Sequence, residues 1–187
     1  KFVEGSGINS SYAVHQDVTG TSKDTALALA FSIGSGHVFE TTFKNEVYSD
    51  LTGERCVLMG MIQGAFLAQY QVLRENGHSI SEAYNETVEE ALVSLYPLIN
   101  EKGMDWLYAN CSTTAQRGAL DWAPRFTEVL KPVIQECYES VKNGEEVKTV
   151  IDKNSDPYYR EKLDQELDTL KNQELWRAAR ELRKFRE

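Results

Sequence analysis

The sequence predicts an all-α protein, and three observations lead to that prediction. Apolar residues recur at helical spacing along most of the 187 residues, and glycines stand where the helices would end. Only one short stretch has the β-branched and aromatic composition of a strand. The chain is 41% hydrophobic and 26% charged, which is typical of one globular domain with its own core.

The first half of the chain predicts a strand followed by helices. The strand lies in INSSYAVHQDVTG, and the helix that follows it ends at Gly34. After a loop, a short acidic helix and a long helix are expected, and Gly77 would end the long one. The expected helices cover about 21–33, 42–50 and 51–76.

The second half predicts helices separated by short polar breaks. Ser79 and Glu82 have the spacing of a capping box, which begins a helix. The segment CSTTAQRG is read as a polar break, Gly144 as a helix end, and Pro157 as the first turn of another helix. The expected helices cover about 79–98, 101–110 and 122–143, then one after Pro157 and a basic amphipathic tail over 175–185.

Charge and cysteine content restrict the function. A net charge of −9 argues against a nucleic-acid partner, which would need a basic surface. No apolar run approaches the roughly 18–20 residues of a membrane span, so no membrane partner is expected. The three cysteines, Cys56, Cys111 and Cys137, have neither zinc-site nor disulfide-framework spacing, which favours a reducing soluble compartment.

Two carboxylate pairs are the strongest functional signal. Asp50 and Glu54 are four residues apart, and so are Glu86 and Glu90. On a helix such residues share one face, where like charges repel unless a cation lies between them. Either pair alone is more often a solvated helix face. Two pairs that converge would make an all-oxygen site for one or two Mg²⁺ ions.

Six motifs resemble those of the ketol-acid reductoisomerase (acetohydroxy-acid isomeroreductase) family, in its short fungal mitochondrial form. They occur in one order along the chain: AVHQDVTG, IGSGHVFETTF, SDLTGERCVLMG, LRENGHS, NETVEEALVSLYPLI and NCSTTAQRGALDW. The resemblance implies the C-terminal domain of that enzyme, a knotted helical domain that forms an intertwined homodimer with shared active sites. It also implies a mitochondrial matrix location.

The resemblance implies a reaction and a role for each site residue. Two Mg²⁺ ions and NADPH would convert 2-acetolactate or 2-aceto-2-hydroxybutyrate, both small 2-hydroxy-2-keto acids, to 2,3-dihydroxy acids in branched-chain amino-acid biosynthesis. Asp50 would bridge both ions, and Glu54 would bind one ion and relay a proton to the substrate carbonyl. Glu86 and Glu90 would come from the partner subunit. Ser112 would hydrogen-bond the substrate carboxylate.

The sequence contains no glycine-rich dinucleotide fingerprint, so no residue of the chain is expected to bind the cofactor. Residues 1–19 are interpreted as the last strand and linker of an absent NADPH domain, and 20–187 as the metal- and substrate-binding domain. On this reading the chain alone is inactive. Two alternatives stay open: a non-catalytic helical dimerisation module, and another helical Mg²⁺–carboxylate enzyme.

Overall fold

The structure is a computed structural model that describes residues 7–185. The first six residues of the predicted segment 1–19 and the last two of the predicted domain 20–187 lie outside the described residues. The chain divides into two compact units, one ending at Glu54 and the other beginning at Arg55. Helices form most of the described chain, which confirms the predicted fold class.

The first unit contains a pair of parallel strands joined through a helix. Strand β1 (Asn9–Tyr12) pairs with β2 (His37–Glu40), and helix α1 (Ser22–Ser32) lies between them in the chain. Asn9 lies opposite His37 and Tyr12 opposite Glu40, and the Tyr12 hydroxyl donates to Glu40 Oε2 at 2.8 Å. The sequence predicted a single strand, with a loop at the position of β2. A four-residue run gives little periodicity, so its partner strand decides the conformation.

The predicted helices at 42–50 and 51–76 are divided at a different place. Helix α2 is Phe43–Arg55 and helix α3 is Gly60–Glu75, with a turn over residues 56–59. A Cβ at Gly60 would lie 2.2 Å from the Arg55 carbonyl oxygen, a separation that real Cβ atoms do not reach. The turn is therefore specified by a glycine inside what reads as a continuous apolar run. Helix α3 ends as predicted, with Gly77 at φ +90°.

The helical segment that follows is only partly α-helical. Ser79 begins it with the predicted capping box: Glu82 N–H donates to Ser79 Oγ at 3.2 Å, and Ser79 N–H donates to Glu82 Oε2 at 2.7 Å. The chain then passes through two π-helical segments, where the sequence predicted one regular helix. The order is α4 (Ile80–Tyr84), π1 (Asn85–Glu89), π2 (Ala91–Leu95), α5 (Tyr96–Lys102) and α6 (Met104–Asn110).

The C-terminal part contains four more helices. They are α7 (Thr113–Lys142), α8 (Glu145–Asn154), α9 (Tyr159–Asn172) and α10 (Glu174–Arg183). Most of the segment CSTTAQRG, which was interpreted as a polar break, forms the first turns of α7, because Ser112 caps that helix. Helix α8 was not predicted, whereas the basic tail is helical as expected.

The core of the second unit forms around α10. Leu175 and Ala179 of α10 are fully buried, and they cluster with side chains of α3, α4 and π1. Burial of a leucine side chain stabilises a fold by roughly 1.5–3 kcal/mol. The cluster consists of Phe66, Tyr70, Ala83, Tyr84, Val88, Leu175 and Ala179. The C-terminal helix therefore packs directly against the segment that carries Glu86 and Glu90.

The stretch Phe43–Glu75 is long and apolar enough to cross a membrane by length and composition alone. This corrects the expectation that no apolar stretch approaches that length. Most of its apolar window is exposed in the chain, and the turn at residues 56–59 interrupts it. Core helices of proteins outside membranes meet the same criterion, so the finding is weak support for a membrane partner.

Candidate metal and substrate site

Asp50 and Glu54 lie four residues apart in the second half of α2. Thr42 supports the start of this helix, since its Oγ1 accepts from the Asn45 N–H at 3.1 Å. Both carboxylate residues are exposed. Between them, the Thr52 hydroxyl is buried and has no hydrogen-bond partner among the described residues. The first pair is therefore presented together on one accessible helix face.

Glu86 and Glu90 converge on a single amide group. The Asn85 Nδ2 donates to Glu86 Oε1 at 3.1 Å and to Glu90 Oε1 at 2.8 Å. The Gln69 side chain donates to the Glu86 carbonyl oxygen at 2.9 Å and holds the backbone at the same point. The next two residues after Glu86, Thr87 and Val88, are buried. The two carboxylates thus meet at one donor, as the ligands of a cation must.

The π-helical backbone explains this convergence. In an α-helix, residues five apart do not face each other, so Asn85 and Glu90 would point in different directions. The wider turn of a π-helix, with its i→i+5 hydrogen bonds, brings them to one side. Asn85 was not predicted as a site residue, because residues five apart are not expected to contact each other in a regular helix.

A cavity of about 490 Å³ adjoins Glu86 of the second pair. Asn85, Glu86 and Glu89 line one part of it, and Leu182 of α10 lines another. Its volume falls in the usual range for small-molecule pockets. Helix α10 therefore forms part of the cavity wall beside Glu86.

The two members of each carboxylate pair lie four residues apart on one continuous helical stretch. Among residues 7–185, no group of three or more His, Cys, Asp or Glu side chains is placed to hold a metal ion. The roles predicted for Asp50, Glu54, Glu86 and Glu90 remain predictions.

Ser112 is the N-cap of α7. Its Oγ accepts from the Ala115 N–H at 3.3 Å, and the residue is exposed. A hydroxyl that accepts one hydrogen bond can still donate another. The first turn of a helix also carries unpaired N–H groups and the positive end of the dipole, which favour a carboxylate. Ser112 thus combines a structural contact with the geometry of an anion-binding group.

A partly buried polar cluster connects α10 to α3. Glu174 Oε1 accepts from the Tyr70 hydroxyl at 2.7 Å and from Arg74 Nε at 2.8 Å. These contacts hold the pKa of the Glu174 carboxyl below its ordinary value, the Arg74 hydrogen bond contributing most. Burial, followed by the contact with Glu174, raises the pKa of Tyr70 to about 12. At neutral pH, Glu174 is therefore the charged acceptor of the cluster.

Fold and site together define a helical domain with two paired-carboxylate sites, one pair on α2 and the other on π1 and the residue after it. Residues 43–187 match the family described as "Ketol-acid reductoisomerase, C-terminal domain". Residues 1–38 match "Acetohydroxy acid isomeroreductase, NADPH-binding domain". The chain belongs to the ketol-acid reductoisomerase family.

Individual relatives agree with this assignment. The chain is 64% identical over 185 residues to the mitochondrial ketol-acid reductoisomerase of Saccharomyces cerevisiae, covering 99% of this chain and 47% of that protein. It is 59% identical to the ketol-acid reductoisomerase (NAD(+)) of Desulfosudis oleivorans, covering 99% of this chain and 53% of that protein. The chain spans about half the length of the curated relatives it matches.

A solved structure shares the fold. It is described as an NADH-preferring ketol-acid reductoisomerase from an uncultured archean, and it matches with a TM-score of 0.84 at 27% identity. The match covers 97% of this chain and 55% of the other. Nearly all of the described architecture therefore recurs in that protein.

Proposed function

We propose that this chain forms the metal- and substrate-binding part of a ketol-acid reductoisomerase. The reaction isomerises 2-acetolactate or 2-aceto-2-hydroxybutyrate and reduces the product to a 2,3-dihydroxy acid, as in branched-chain amino-acid biosynthesis. The observation that carries the proposal is the 64% identity to a named ketol-acid reductoisomerase over 99% of the chain. The proposal makes the enzyme both an isomerase and an oxidoreductase.

Asp50, Glu54, Glu86 and Glu90 are the proposed ligands of two Mg²⁺ ions. The donor set fits, because Mg²⁺ prefers carboxylate oxygens, and Glu86 and Glu90 already converge on the Asn85 amide. When bound, a pair of such ions stabilises negative charge on two neighbouring oxygens, which the alkyl shift requires. Asp50 is proposed as the ligand shared by both ions.

Two residues are assigned to the substrate. Ser112 Oγ donates to the substrate carboxylate, and the N-terminus of α7 adds favourable electrostatics. Glu54 relays a proton to the substrate carbonyl as the alkyl group moves. Exposure of both residues supports these roles, since substrate must reach them.

NADPH is the proposed hydride donor. The match of residues 1–38 to an NADPH-binding domain supports it. Two relatives carry names that refer to NAD(+) or NADH, so cofactor choice differs within the family. We assign no cofactor-binding residue in this chain. The domain boundary after residue 19 stays a prediction, and the two family matches meet between residues 38 and 43.

A homodimer with shared sites is the proposed assembly, in which two knotted domains intertwine. Glu86 and Glu90 of one copy would complete the site of Asp50 and Glu54 of the other. Large exposed apolar side chains support an interface, because isolated proteins seldom expose so many. They include Leu58, Met59, Trp122, Phe126 and Val133.

We propose the mitochondrial matrix as the compartment. Three of the relatives, from Saccharomyces cerevisiae, Neurospora crassa and Schizosaccharomyces pombe, are named as mitochondrial or probable mitochondrial enzymes. Their identity to the chain is 58–64%. Imaging of the tagged full-length protein against a matrix marker tests the assignment.

Mg²⁺ binding is the primary test of the proposed function. About 10 mM Mg²⁺ is expected to raise the melting temperature, because a ligand that binds only the folded state stabilises it. Asp50→Asn is expected to remove most of that rise, whereas the control Asp152→Asn on α8 keeps it. Equal responses in Asp50→Asn and the unsubstituted protein would reject the site.

Catalysis requires a second test. The half of the Saccharomyces cerevisiae relative that this chain does not cover is fused ahead of Lys1, and acetolactate-dependent NADPH oxidation is followed. Activity that is lost in Glu54→Gln supports the enzyme. Mg²⁺ binding without activity would favour the non-catalytic module, and activity on a different substrate class would favour another Mg²⁺ enzyme.

A further inference from the structure

Two of the three free cysteines lie together in the second unit. Cys56 is the first residue after α2, and Cys137 lies in the last third of α7. Both line one cavity of about 270 Å³, whose other walls are mostly apolar. Cys56 is buried and Cys137 is half-buried. A small oxidant that enters this cavity therefore meets two thiols at once.

The two thiols are close neighbours. Both side chains line the same cavity, and burial together with the nearby Cys56 raises the pKa of the Cys137 thiol. A disulfide requires the two sulfur atoms to approach to about 2.05 Å. Rotation about the two Cα–Cβ bonds moves both sulfur atoms without shifting a helix.

Polar contacts fix the backbone on both sides of the pair. Arg55, next to Cys56, donates from Nε to Glu146 Oε2 at 2.7 Å. Ser140, three residues after Cys137, donates to Glu146 Oε1 at 2.8 Å. One carboxylate thus connects the residue beside Cys56 with the helix turn beyond Cys137. The thiols are held as neighbours by contacts that do not involve sulfur.

We propose that Cys56 and Cys137 are a redox modification site that forms a reversible intramolecular disulfide with peroxide oxidants. The more accessible Cys137 thiolate attacks one peroxide oxygen, giving a sulfenic acid and releasing water or an alcohol. The Cys56 thiolate then attacks the Cys137 sulfur, the S–S bond forms, and the sulfenic hydroxyl leaves as water. Two thiols are oxidised by two electrons, and one peroxide bond is reduced. A dithiol reductant reverses the reaction.

The disulfide would join the turn at residues 56–59 to α7. It would close a loop of about 80 residues, which is long enough for a large entropic effect on the unfolded chain. The expected rise in melting temperature is on the order of 10 °C for a chain of this length. The reduced protein recovers the original value.

The test compares reduced and peroxide-treated protein. Burial and the neighbouring Cys56 raise the pKa of the Cys137 thiol, so the reaction is run at about pH 8.5 to increase the thiolate fraction. Thiol titration after denaturation, peptide mass mapping without reductant, and melting temperature are measured. We expect the loss of two thiols, a linked Cys56–Cys137 peptide, and a higher melting temperature that dithiothreitol reverses.

Variants separate this pair from the third cysteine. Cys111→Ala is expected to behave like the unsubstituted protein, whereas Cys137→Ala gives neither the linked peptide nor the rise in melting temperature. If Cys137→Ala does not fold, mapping of the unsubstituted protein decides alone. Three results would overturn the proposal. The first is a linked peptide that contains Cys111, and the second is disulfide links only between chains. The third is retention of all three thiols under conditions in which a reference dithiol oxidises fully.

Discussion

The Tyr70 hydroxyl donates a 2.7 Å hydrogen bond to Glu174 Oε1, and this contact joins α3 to the first residue of α10. Arg74 donates to the same oxygen from one helical turn further along α3. Leu175, the next residue of α10, is fully buried against the helices that lead into the second carboxylate pair. The polar contact therefore fixes the register in which α10 covers that region.

Glu174→Gln is expected to destabilise the fold by about 1 kcal/mol. Hydrogen bonds to a charged acceptor contribute roughly 1.5–3 kcal/mol, and the value is reduced here because the side chain is 38% exposed. Urea denaturation measures the change. Glu181→Gln is the matched control on the same helix, since its partner Lys184 is an exposed surface contact. An equal loss of stability in Glu181→Gln and Glu174→Gln would contradict the prediction that the Glu174 contacts stabilise the fold more than an exposed ion pair does.

The stability difference between Glu174→Gln and the unsubstituted protein is expected to depend on pH. The folded-state pKa of Glu174 lies below the ordinary value of 4.5, so its contribution is complete above that pH. The contribution disappears as the pH falls through the lower, folded-state pKa. Urea denaturation from pH 7 down to about pH 3 should show the Glu174→Gln difference shrinking only below about pH 4.5. A difference that is constant over this range would contradict the assignment.

The Asn85 amide is expected to orient the second carboxylate pair. Asn85→Ala removes the shared donor, and outer groups that orient metal ligands typically account for about 10–100-fold in affinity. A Mg²⁺ affinity reduced by about tenfold in isothermal titration is the expected result. Asn76→Ala is the control, because its side chain donates to the Val72 carbonyl at the end of α3. Unchanged affinity in Asn85→Ala would mean that the two glutamates do not need this contact.

Ser112 permits a test that separates its two roles. Ser112→Ala should lose the cap, about 1 kcal/mol of stability, and also raise KM about ten- to a hundredfold in the fused enzyme. Ser112→Asp keeps a good capping residue but places a negative charge where the substrate carboxylate would bind. It should therefore keep the stability and lose substrate affinity. A normal KM in Ser112→Asp would leave Ser112 with the capping role alone.

Mixed dimers test whether the sites are shared. Asp50→Asn and Glu86→Gln are each expected to inactivate the fused enzyme, yet a dimer containing one of each has one site with all four carboxylates. Random mixing should then restore about a quarter of the original activity. No recovery in verified mixed dimers would mean that each chain builds its own site.

Local sequence signals predicted the helix ends well. The capping box at Ser79 and Glu82 and the glycine at position 77 act through contacts within a few residues. They can therefore be recognised from the sequence without knowledge of the fold. Strand β2 depends on β1, 28 residues away in the pairing of His37 with Asn9, and was missed. The turn before Gly60 depends on one close backbone approach, which hydrophobic spacing does not reveal.

The candidate site was predictable in its residue types and less so in its geometry. The four-residue spacing of Asp50 and Glu54 survives in an α-helix, as expected. The second pair, Glu86 and Glu90, lies where the backbone is π-helical instead of α-helical, and the hydrogen bond from Asn85 to Glu90 depends on that geometry. No residue type specifies a π-helix strongly, so regular helical periodicity was the only available expectation.

The π-helical segments contain residues that a regular helix would not need. One residue corresponds to about 100° of rotation in an α-helix, so a deletion in a regular helix turns everything upstream by about that angle. A π-helical turn is wider and holds about one residue more than an α-helical turn. Deleting one residue from Ala91–Leu95 would therefore allow a regular helix to form with the upstream carboxylates at about their present angle relative to α5. Natural or engineered variants should therefore tolerate the loss of one residue here far more readily than in the regular helices of the chain.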